Sequence, residues 1–477
     1  MDPIRFSDVL RATGGEPAGP VDGDPVVPAV TTDSRQVPKG SLFIPIRGKK
    51  HDAHQFVEGA FLAGAGFSLA ARDAEFARMP ANVILVKDTT RALGDLARWY
   101  RSRFEVPVVA ITGSCGKTTV KEMLRLVLGE DVVASPASYN NEFGVPLTLL
   151  QMTDRTRACV VEIGTNGPGE IEHLTGIARP TVGIVTNVEE AHLEGLGSVQ
   201  GVMEEKAHLL SGLPPDGAAV VNADNYYCRE MMEEVACHLV TYGTWEDSDV
   251  YGMEPQATPQ GVAFYLYGKI PFEIPALGIH NVVNALAAVA TGLWLGRDPM
   301  AIREALSRYQ APPMRMSREV VGEVTLINDA YNANPRSMDA AIGELAAREC
   351  GGRRVAVLGE MLELGPDSER YHRALGRKVA NSGIDRLWAV GPSAHLVADE
   401  AVGYGMTPSN VRHHPTVEAA LAEAPFEPRA GDTWLFKASR GMRLERLAEG
   451  VRRALARLGG APEGMAVSRL GGTPPVR

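Results

Sequence analysis

Residues 112–119 read TGSCGKTT, a set of types that could bind and neutralise phosphate. Gly113 and Gly116 let the backbone turn tightly, so N–H groups across Gly113, Ser114, Cys115 and Gly116 can face one anion. Lys117 adds a cation beside that point, and the hydroxyls of Thr118 and Thr119 are placed to hold Mg²⁺. The common phosphate-loop pattern has a further glycine where Ile111 stands, so this loop is a shorter form. Elsewhere Glu162, Asn187, His192 and Lys206 supply a carboxylate, an amide, an imidazole and an amine. A carboxylate and an imidazole near a triphosphate suit metal and phosphate chemistry.

The elements around these residues are those such a site needs. Residues 108–111 (VVAI) are apolar and β-branched, as in a strand buried on both faces. After Lys117 the period changes: Val120, Met123, Leu124, Val127 and Leu128 share one helical face, and Gly129 is placed to cap the helix. Residues 158–163 (ACVVEI) form a strand ending near Glu162, and residues 181–187 (TVGIVTN) form another ending at Asn187, followed by Glu189, Glu190 and His192. Residues 218–222 form a third. In such sheets ligands lie beyond the carboxyl ends of strands, so Glu162, Asn187 and His192 are expected near the glycine loop. Taken singly, Glu162 also reads as a salt-bridged strand end and His192 as a helix-capping or core histidine. Lys206, in a helix over 203–210 beside Glu204 and Glu205, reads locally as a solvated ion pair. Residues 278–290 open a buried helix whose His280, Asn281 and Asn284 could read an adenine edge or cap the helix.

A length of 477 residues predicts about three domains. The first, over 1–87, is a small α/β domain with TTDSR at 31–35, a strand over 41–46 and a helix over 56–65. Its Ser, Arg and Gly turns suit pyrophosphate or sugar hydroxyls, or plain surface turns. An amphipathic helix over 88–104, with Leu93, Leu96, Ala97, Tyr100 and Phe104 on one face, opens a central domain over 88–313. Alternating residues at 250–274 read as a β-hairpin insertion. Pro312-Pro313 marks the next boundary. A Rossmann-like domain over 314–458 follows, with strands at 324–327, 355–358, 387–390 and 433–436 and a last helix from about 442. The Gly/Pro-rich residues 459–477 are expected to be a disordered tail.

Hydrophobic content of 45% with 22% charged residues fits a soluble globular protein, and the net charge of −10 without a basic block argues against nucleic-acid binding. The five cysteines are scattered without a CxxC pair, so neither a disulfide framework nor a zinc site is indicated. No signal-peptide pattern or membrane-length apolar run occurs, and a cytoplasmic protein is expected.

These motifs resemble the Mur ligases, in the same order along residues 31–458. They are TDSR with LFIPIRG, GSCGKTTVKEM, NNEFGVPLTLL from Asn140, EIGTNGPGEI, TNVEEAHLEGLGS, GIHNVVNALAA, DAYNANPRSM, GEMLELG and KASR. The resemblance implies an α/β protein of three domains: a small N-terminal α/β domain, a central P-loop-type ATPase sheet with a β insertion, and a C-terminal Rossmann-like domain. It implies ATP and Mg²⁺. Carried over by position, Lys117 contacts phosphate, Thr118 and Glu162 bind Mg²⁺, and His192 with a carbamylated Lys206 serves a second metal. Asn281 and Asn284 face adenine, and Arg315 and Asp329 reach the nucleotide. Ser34 and Arg35 belong to a uridine-diphosphate site and Asn140 and Asn141 to the muramoyl-peptide site, while Tyr331, Asn332 and Asn334 are expected near an incoming dipeptide.

Within the family, DAYNANPRSM is similar to the branch that adds D-alanyl-D-alanine to UDP-N-acetylmuramoyl tripeptide, working as a monomer. The alternatives are a sister ligase adding the third amino acid, a folylpolyglutamate synthetase-like ligase, and a nucleotide-dependent regulatory protein without ligase activity. Cys115 stands where an Asn is usual, Ala53 and Ala438 replace glycines, Thr165 stands where Ala is commoner, and Glu189 replaces a Gly.

Overall fold

The strand Val108–Thr112 lies inside a nine-stranded sheet, between Ala158–Glu162 and Val182–Val185, all parallel. The computed structural model describes residues 1–48, 51–76, 82–423 and 426–458, so the tail expected at 459–477 lies outside the described residues. Val109 and Ile111 point to one side of the sheet, where they pack with Val120, Met123 and Leu124 of the helix Lys117–Leu128. Val108 and Ala110 point to the other side and join a second cluster with Leu93, Leu96 and Tyr100. Burial on both faces is what the unbroken apolar run predicts.

The chain divides into two units, Met1–Ala311 with Glu363–Gly365, and Pro312–Leu362 with the chain from Pro366 onward. In the first unit the large sheet continues from Val182–Val185 through Ala218–Asn222 and His238–Gly243 to Val250–Ala257. The expected hairpin at 250–274 is a three-stranded antiparallel extension of this sheet, because turns fall at both 258–261 and 267–269. It joins the main sheet where Tyr242 and Gly243 pair with Val250 and Tyr251.

A separate five-stranded sheet holds Val30–Thr31, Leu42–Phe43, Phe67–Ala71, Val83–Val86 and Glu16–Pro17. The strand expected over 41–46 is thus shorter. The helix expected over 56–65 is Val57–Leu62, preceded by a 3-10 turn at Ala53–Phe56. The helix Thr89–Arg101, capped by Asp88, packs apolar residues against Ile4, Phe6 and Phe67 as well as against the large sheet. One element therefore serves both sheets of this unit.

In the second unit the strand order is Ser317–Val321, Val324–Asp329, Thr433–Lys437, Arg354–Gly359, Arg386–Val390 and Val411–His414. All neighbours are parallel except the first pair. The last helix, expected from 442, starts at Glu445, because Arg440–Met442 forms a 3-10 turn and Arg443 takes a left-handed φ of +53°. Among the described residues no helix is long and apolar enough to cross a membrane.

Tyr100 is the buried polar link of the helix Thr89–Arg101. Its hydroxyl accepts from the Asp2 N–H at 2.7 Å and donates to the Met152 carbonyl at 2.7 Å, and burial pushes its pKa up to about 12. Replacing it with Phe leaves both backbone groups without this partner, so Tyr100→Phe should lower stability by about 1–3 kcal/mol. The denaturant midpoint of the purified variant checks this; an unchanged midpoint would show that the two hydrogen bonds contribute nothing.

Candidate functional site

The glycine loop is fixed by close approach. Gly113 has φ +147°, and a Cβ there would lie 1.9 Å from Thr186 Oγ1. Gly116 has φ +84°, and a Cβ there would lie 2.3 Å from Asn284 Oδ1. Neither position admits a side chain. Gly116 is also the N-cap of Lys117–Leu128 and supplies no side-chain cap, the condition under which a helix start takes an anion. The segment after the neighbouring strand braces the loop from behind. The Cys115 N–H donates to Asn187 Oδ1 at 2.9 Å, and its carbonyl accepts from Thr186 Oγ1 at 2.5 Å. Ser114 Oγ donates to the Glu189 carbonyl at 3.1 Å and accepts from the Glu189 N–H at 2.9 Å. Both Ser114 contacts use the backbone of residue 189, so Glu in place of Gly costs the loop nothing. Lys117 Nζ donates to the Gly113 carbonyl at 2.6 Å, folded over the loop it is expected to serve.

Glu162, only 1% exposed at the end of its strand, sits beside that helix start. Its Oε2 accepts from Thr118 Oγ1 at 2.7 Å and its Oε1 from Asn140 Nδ2 at 2.9 Å. A hydroxyl and a carboxylate converging next to a phosphate loop form a donor set that fits a hard cation such as Mg²⁺. Asn141 does something else: its Oδ1 accepts from the Phe143 and Gly144 N–H groups, capping the turn into Gly144–Leu149. That oxygen is spent on the backbone, although the sequence reading placed the residue at a substrate.

Lys206 overturns the local reading of a solvated ion pair. It is 1% exposed, and burial, reinforced by the charge of Lys117, lowers its pKa to about 7. The adjacent Glu205 is buried too and accepts from the Gly169 and Ile171 N–H groups, each at 2.7 Å. It thereby holds the turn into the helix Glu170–Ala178. The sequence reading gave Glu205 no role. The signal was the spacing of 202, 205, 206 and 209, which share a helical face with two apolar members.

His192 has φ +55° ahead of the short helix Leu193–Leu196. Its Nδ1 lies 2.7 Å from Oε2 of Glu363, which belongs to the same unit, and this hydrogen bond holds the Glu363 carboxyl below its usual range. Among the described residues no three His, Cys, Asp or Glu side chains gather where they could hold a metal.

Asn281 and Asn284 are buried and chained: Asn284 Nδ2 donates to Asn281 Oδ1 at 2.7 Å, and Asn281 Nδ2 to the Leu277 carbonyl at 2.6 Å. These contacts spend their amides on the protein, and Asn284 Oδ1 abuts Gly116. They thereby pack the start of their helix against the phosphate loop. At the N-terminal sheet Arg35 forks onto Asp33, at 2.8 Å through both Nε and Nη2, beside the half-buried Ser34. Ala53 fits its glycine-like position because it starts a 3-10 turn at negative φ.

The second unit carries its own cluster. Asp329, ending its strand, accepts from Lys437 Nζ at 2.6 Å and from the Met316 N–H at 3.0 Å. Lys437 also donates to the Asn332 carbonyl at 3.0 Å. The Arg315 guanidinium lies over the Tyr331 ring, 4.0 Å from its centroid. Met314 and Met316, flanking Arg315, both take positive φ, a strained backbone that recurs at functional positions. Asn334 N-caps the helix Pro335–Ala347 through the Ser337 N–H at 2.8 Å, so its carbonyl oxygen serves the fold. The Ala438 side chain is accommodated because residue 359, opposite it, is glycine.

Three family descriptions match in succession: Mur ligase family, catalytic domain, over residues 26–101; Mur ligase middle domain over 111–292; and Mur ligase, glutamate ligase domain, over 314–440. The chain is 36% identical over 448 residues to the UDP-N-acetylmuramoyl-tripeptide–D-alanyl-D-alanine ligase of Bacillus subtilis (strain 168), covering 93% of this chain and 97% of the relative. The chain belongs to the Mur ligase family. Its fold is also similar to that of the Mur ligase MurF from Acinetobacter baumannii, with TM-score 0.84, 30% identity and coverage of 95% and 99%. MurF from Thermotoga maritima, solved in complex with ADP, aligns with TM-score 0.77 and 25% identity over 90% and 98% of the two chains. The three-domain Mur ligase architecture places the glycine loop in the matched middle domain and the Asp329–Lys437 pair in the matched glutamate ligase domain.

Since Asn187 and Thr186 engage the backbone of Cys115, a Mur ligase loop can form with another small residue there. Cys115→Ala should keep ATP-dependent turnover within about threefold of the wild type. A folded variant without turnover, measured as phosphate release, would show that the thiol itself takes part.

Proposed function

We propose that this Mur ligase is an ATP-dependent enzyme that joins D-alanyl-D-alanine to the terminal carboxylate of UDP-N-acetylmuramoyl tripeptide, forming the UDP-muramoyl pentapeptide of peptidoglycan synthesis. The observation that carries the reading is the Thr118–Glu162 pair beside an uncapped helix start and Lys117, in a chain that spans 97% of a relative bearing that activity in its name. Carboxylate oxygen is a poor leaving group, so the tripeptide carboxylate first attacks the γ-phosphoryl group, releasing ADP and leaving an acyl phosphate. The neutral dipeptide amine then attacks the carbonyl carbon, phosphate departs with the C–O bond electrons, and the nitrogen gives up one proton to become the amide. The first step demands positioning and charge neutralisation more than covalent chemistry. Lys117 and the first-turn N–H groups supply the protein's share of that charge. Thr118 and Glu162 would hold Mg²⁺, which when bound neutralises phosphate charge. Tyr331, Asn332 and Asn334 are the proposed neighbours of the incoming dipeptide, Ser34 and Arg35 those of the uridine diphosphate, and Asn140 and Asn141 those of the muramoyl peptide. Dependence on ATP assigns the step to the cytoplasm. Mass spectrometry of a reaction with all three substrates should show the tripeptide gaining one D-Ala-D-Ala unit with ADP formed. Addition of one lysine or diaminopimelate to the dipeptide precursor instead would transfer the chain to the sister activity.

Lys206 has a chemical role in this scheme because burial lowers its pKa to about 7, so a large share of the amine is neutral at and above that pH. A neutral amine adds CO₂, loses a proton and becomes a carbamate, turning a cation into an oxygen ligand for a second metal beside His192. The sign follows from the lowered pKa: below pH 7 the amine is protonated and does not react, and above it the free amine is available. Lys206→Arg should therefore be nearly inactive despite keeping a cation, and Lys206→Ala should regain part of its activity with short carboxylic acids. Full activity of the arginine variant would establish a purely electrostatic role.

A further inference from the structure

The phosphate helix carries a second buried lysine, which none of the chemistry above uses. Lys121 lies one turn beyond Lys117 in Lys117–Leu128 and is 0% exposed. Its ammonium donates to the Ser135 carbonyl at 2.7 Å and to the Ala137 carbonyl at 2.5 Å, and lies 3.0 Å from the Glu122 carboxylate. Two hydrogen bonds and one ion pair thus tie the ammonium to the protein. Both carbonyls belong to the segment between the strand Val132–Ala134 and Asn140. Ala137 is held there at φ +47°, a left-handed conformation that alanine adopts at a cost.

What this segment does can be followed bond by bond. Ser135 Oγ accepts from the Glu162 N–H at 3.1 Å, which ties the segment to the end of the strand that carries the carboxylate. Ser138 Oγ comes within 3.4 Å of Thr118 Oγ1. Asn140 donates its side-chain amide to Glu162 Oε1, and its carbonyl accepts from the Gly164 N–H at 2.8 Å. The carboxylate is thus aimed from one side by Thr118, on the phosphate helix, and from the other by Asn140. Lys121 is the brace from that same helix to the segment that delivers Asn140.

We infer that Lys121 is a positioning residue of this site: it locks residues 135–141 against the phosphate helix, so that Asn140 holds Glu162 in the orientation that completes the hydroxyl–carboxylate donor set. The inference rests on the ligase reading above. It separates two properties that a general loss of structure would move together. Binding of a nucleotide phosphate to the loop depends on Gly113, Gly116, Lys117 and the helix start, whereas the Lys121 ammonium bonds to the segment after Val132–Ala134. The gain that Mg²⁺ adds to that binding depends on Glu162.

The test is calorimetric titration of the full chain with ADP, once in EDTA and once with Mg²⁺, alongside the ligation rate. For Lys121→Met, ADP affinity in EDTA should stay within about twofold of wild type, while the Mg²⁺-linked gain falls at least about tenfold and kcat falls with it, the range expected for losing a group that orients a metal ligand. Asn140→Ala should show the same pattern, and Lys121→Met added to it should cause little further loss, since the two lie on one chain of contacts. If Lys121→Met does not fold, Lys121→Gln, which keeps amide donors, decides on the same comparison with a smaller loss. A folded variant that keeps the full Mg²⁺-linked gain, or losses that add in the double variant, overturns the inference while wild-type ligation still supports the ligase reading. A wild type that neither ligates nor binds ADP more tightly with Mg²⁺ overturns the ligase reading and this inference with it.

Discussion

The lack of room for a Cβ at residues 113 and 116 is the constraint on which the rest of the site depends. Thr186 and Asn284 occupy the space that side chains there would need, and both glycines take φ values that other residues avoid. With that space filled, the loop has one path, and Asn187 can reach the Cys115 N–H across it. The helix then starts at Lys117 without a side-chain cap, so Lys117 and Thr118 emerge from its first turn in fixed directions. Glu162 reaches Thr118 because its strand lies next to the one that feeds the loop.

Much of this was legible. A β-branched run, a glycine turn and a 3.6-residue period specify strand, loop and helix without reference to the rest of the chain. The rule that ligands gather at strand carboxyl ends brought Glu162 to Thr118 from positions 44 apart in sequence. Less legible were residues whose surroundings are made by distant chain. Lys206 has acidic neighbours in sequence, yet its helical face is apolar, and the face prevails. The capping that Asn334 and Asn141 also provide, through side-chain oxygens that accept from backbone N–H groups two or three positions onward, is a product of local backbone conformation. At 250–274 the Tyr267-Gly268-Lys269 turn suggests a hairpin, and the further turn at 258–261 makes the third strand.

Charged groups in the interior of the first unit are met mainly by backbone. Glu205 takes two N–H groups, Lys121 two carbonyls, and Glu162 the hydroxyl and amide of Thr118 and Asn140. Such arrangements add little net stability, since desolvation offsets most of the attraction, but they resist displacement because any shift leaves a buried charge unmatched. Lys206 is the exception. Burial and the charge of Lys117 shift it towards the neutral amine, and a neutral amine in a protein interior is a nucleophile.

The tie at Tyr100 has a consequence for how the chain can be divided. Asp2 finds its partners in the Tyr100 hydroxyl and, through its carboxylate, in the Asp154 N–H at 2.8 Å. Phe6 and Val9 share their apolar cluster with Val145, Leu149 and Met152. Two of the contacts of Asp2 therefore lie 98 and 152 positions further along the chain, while its neighbours Ile4 and Arg5 pair locally with Val27 and Val26. The N-terminal sheet and the central sheet share one apolar cluster, so a cut between them would expose apolar surface on both pieces.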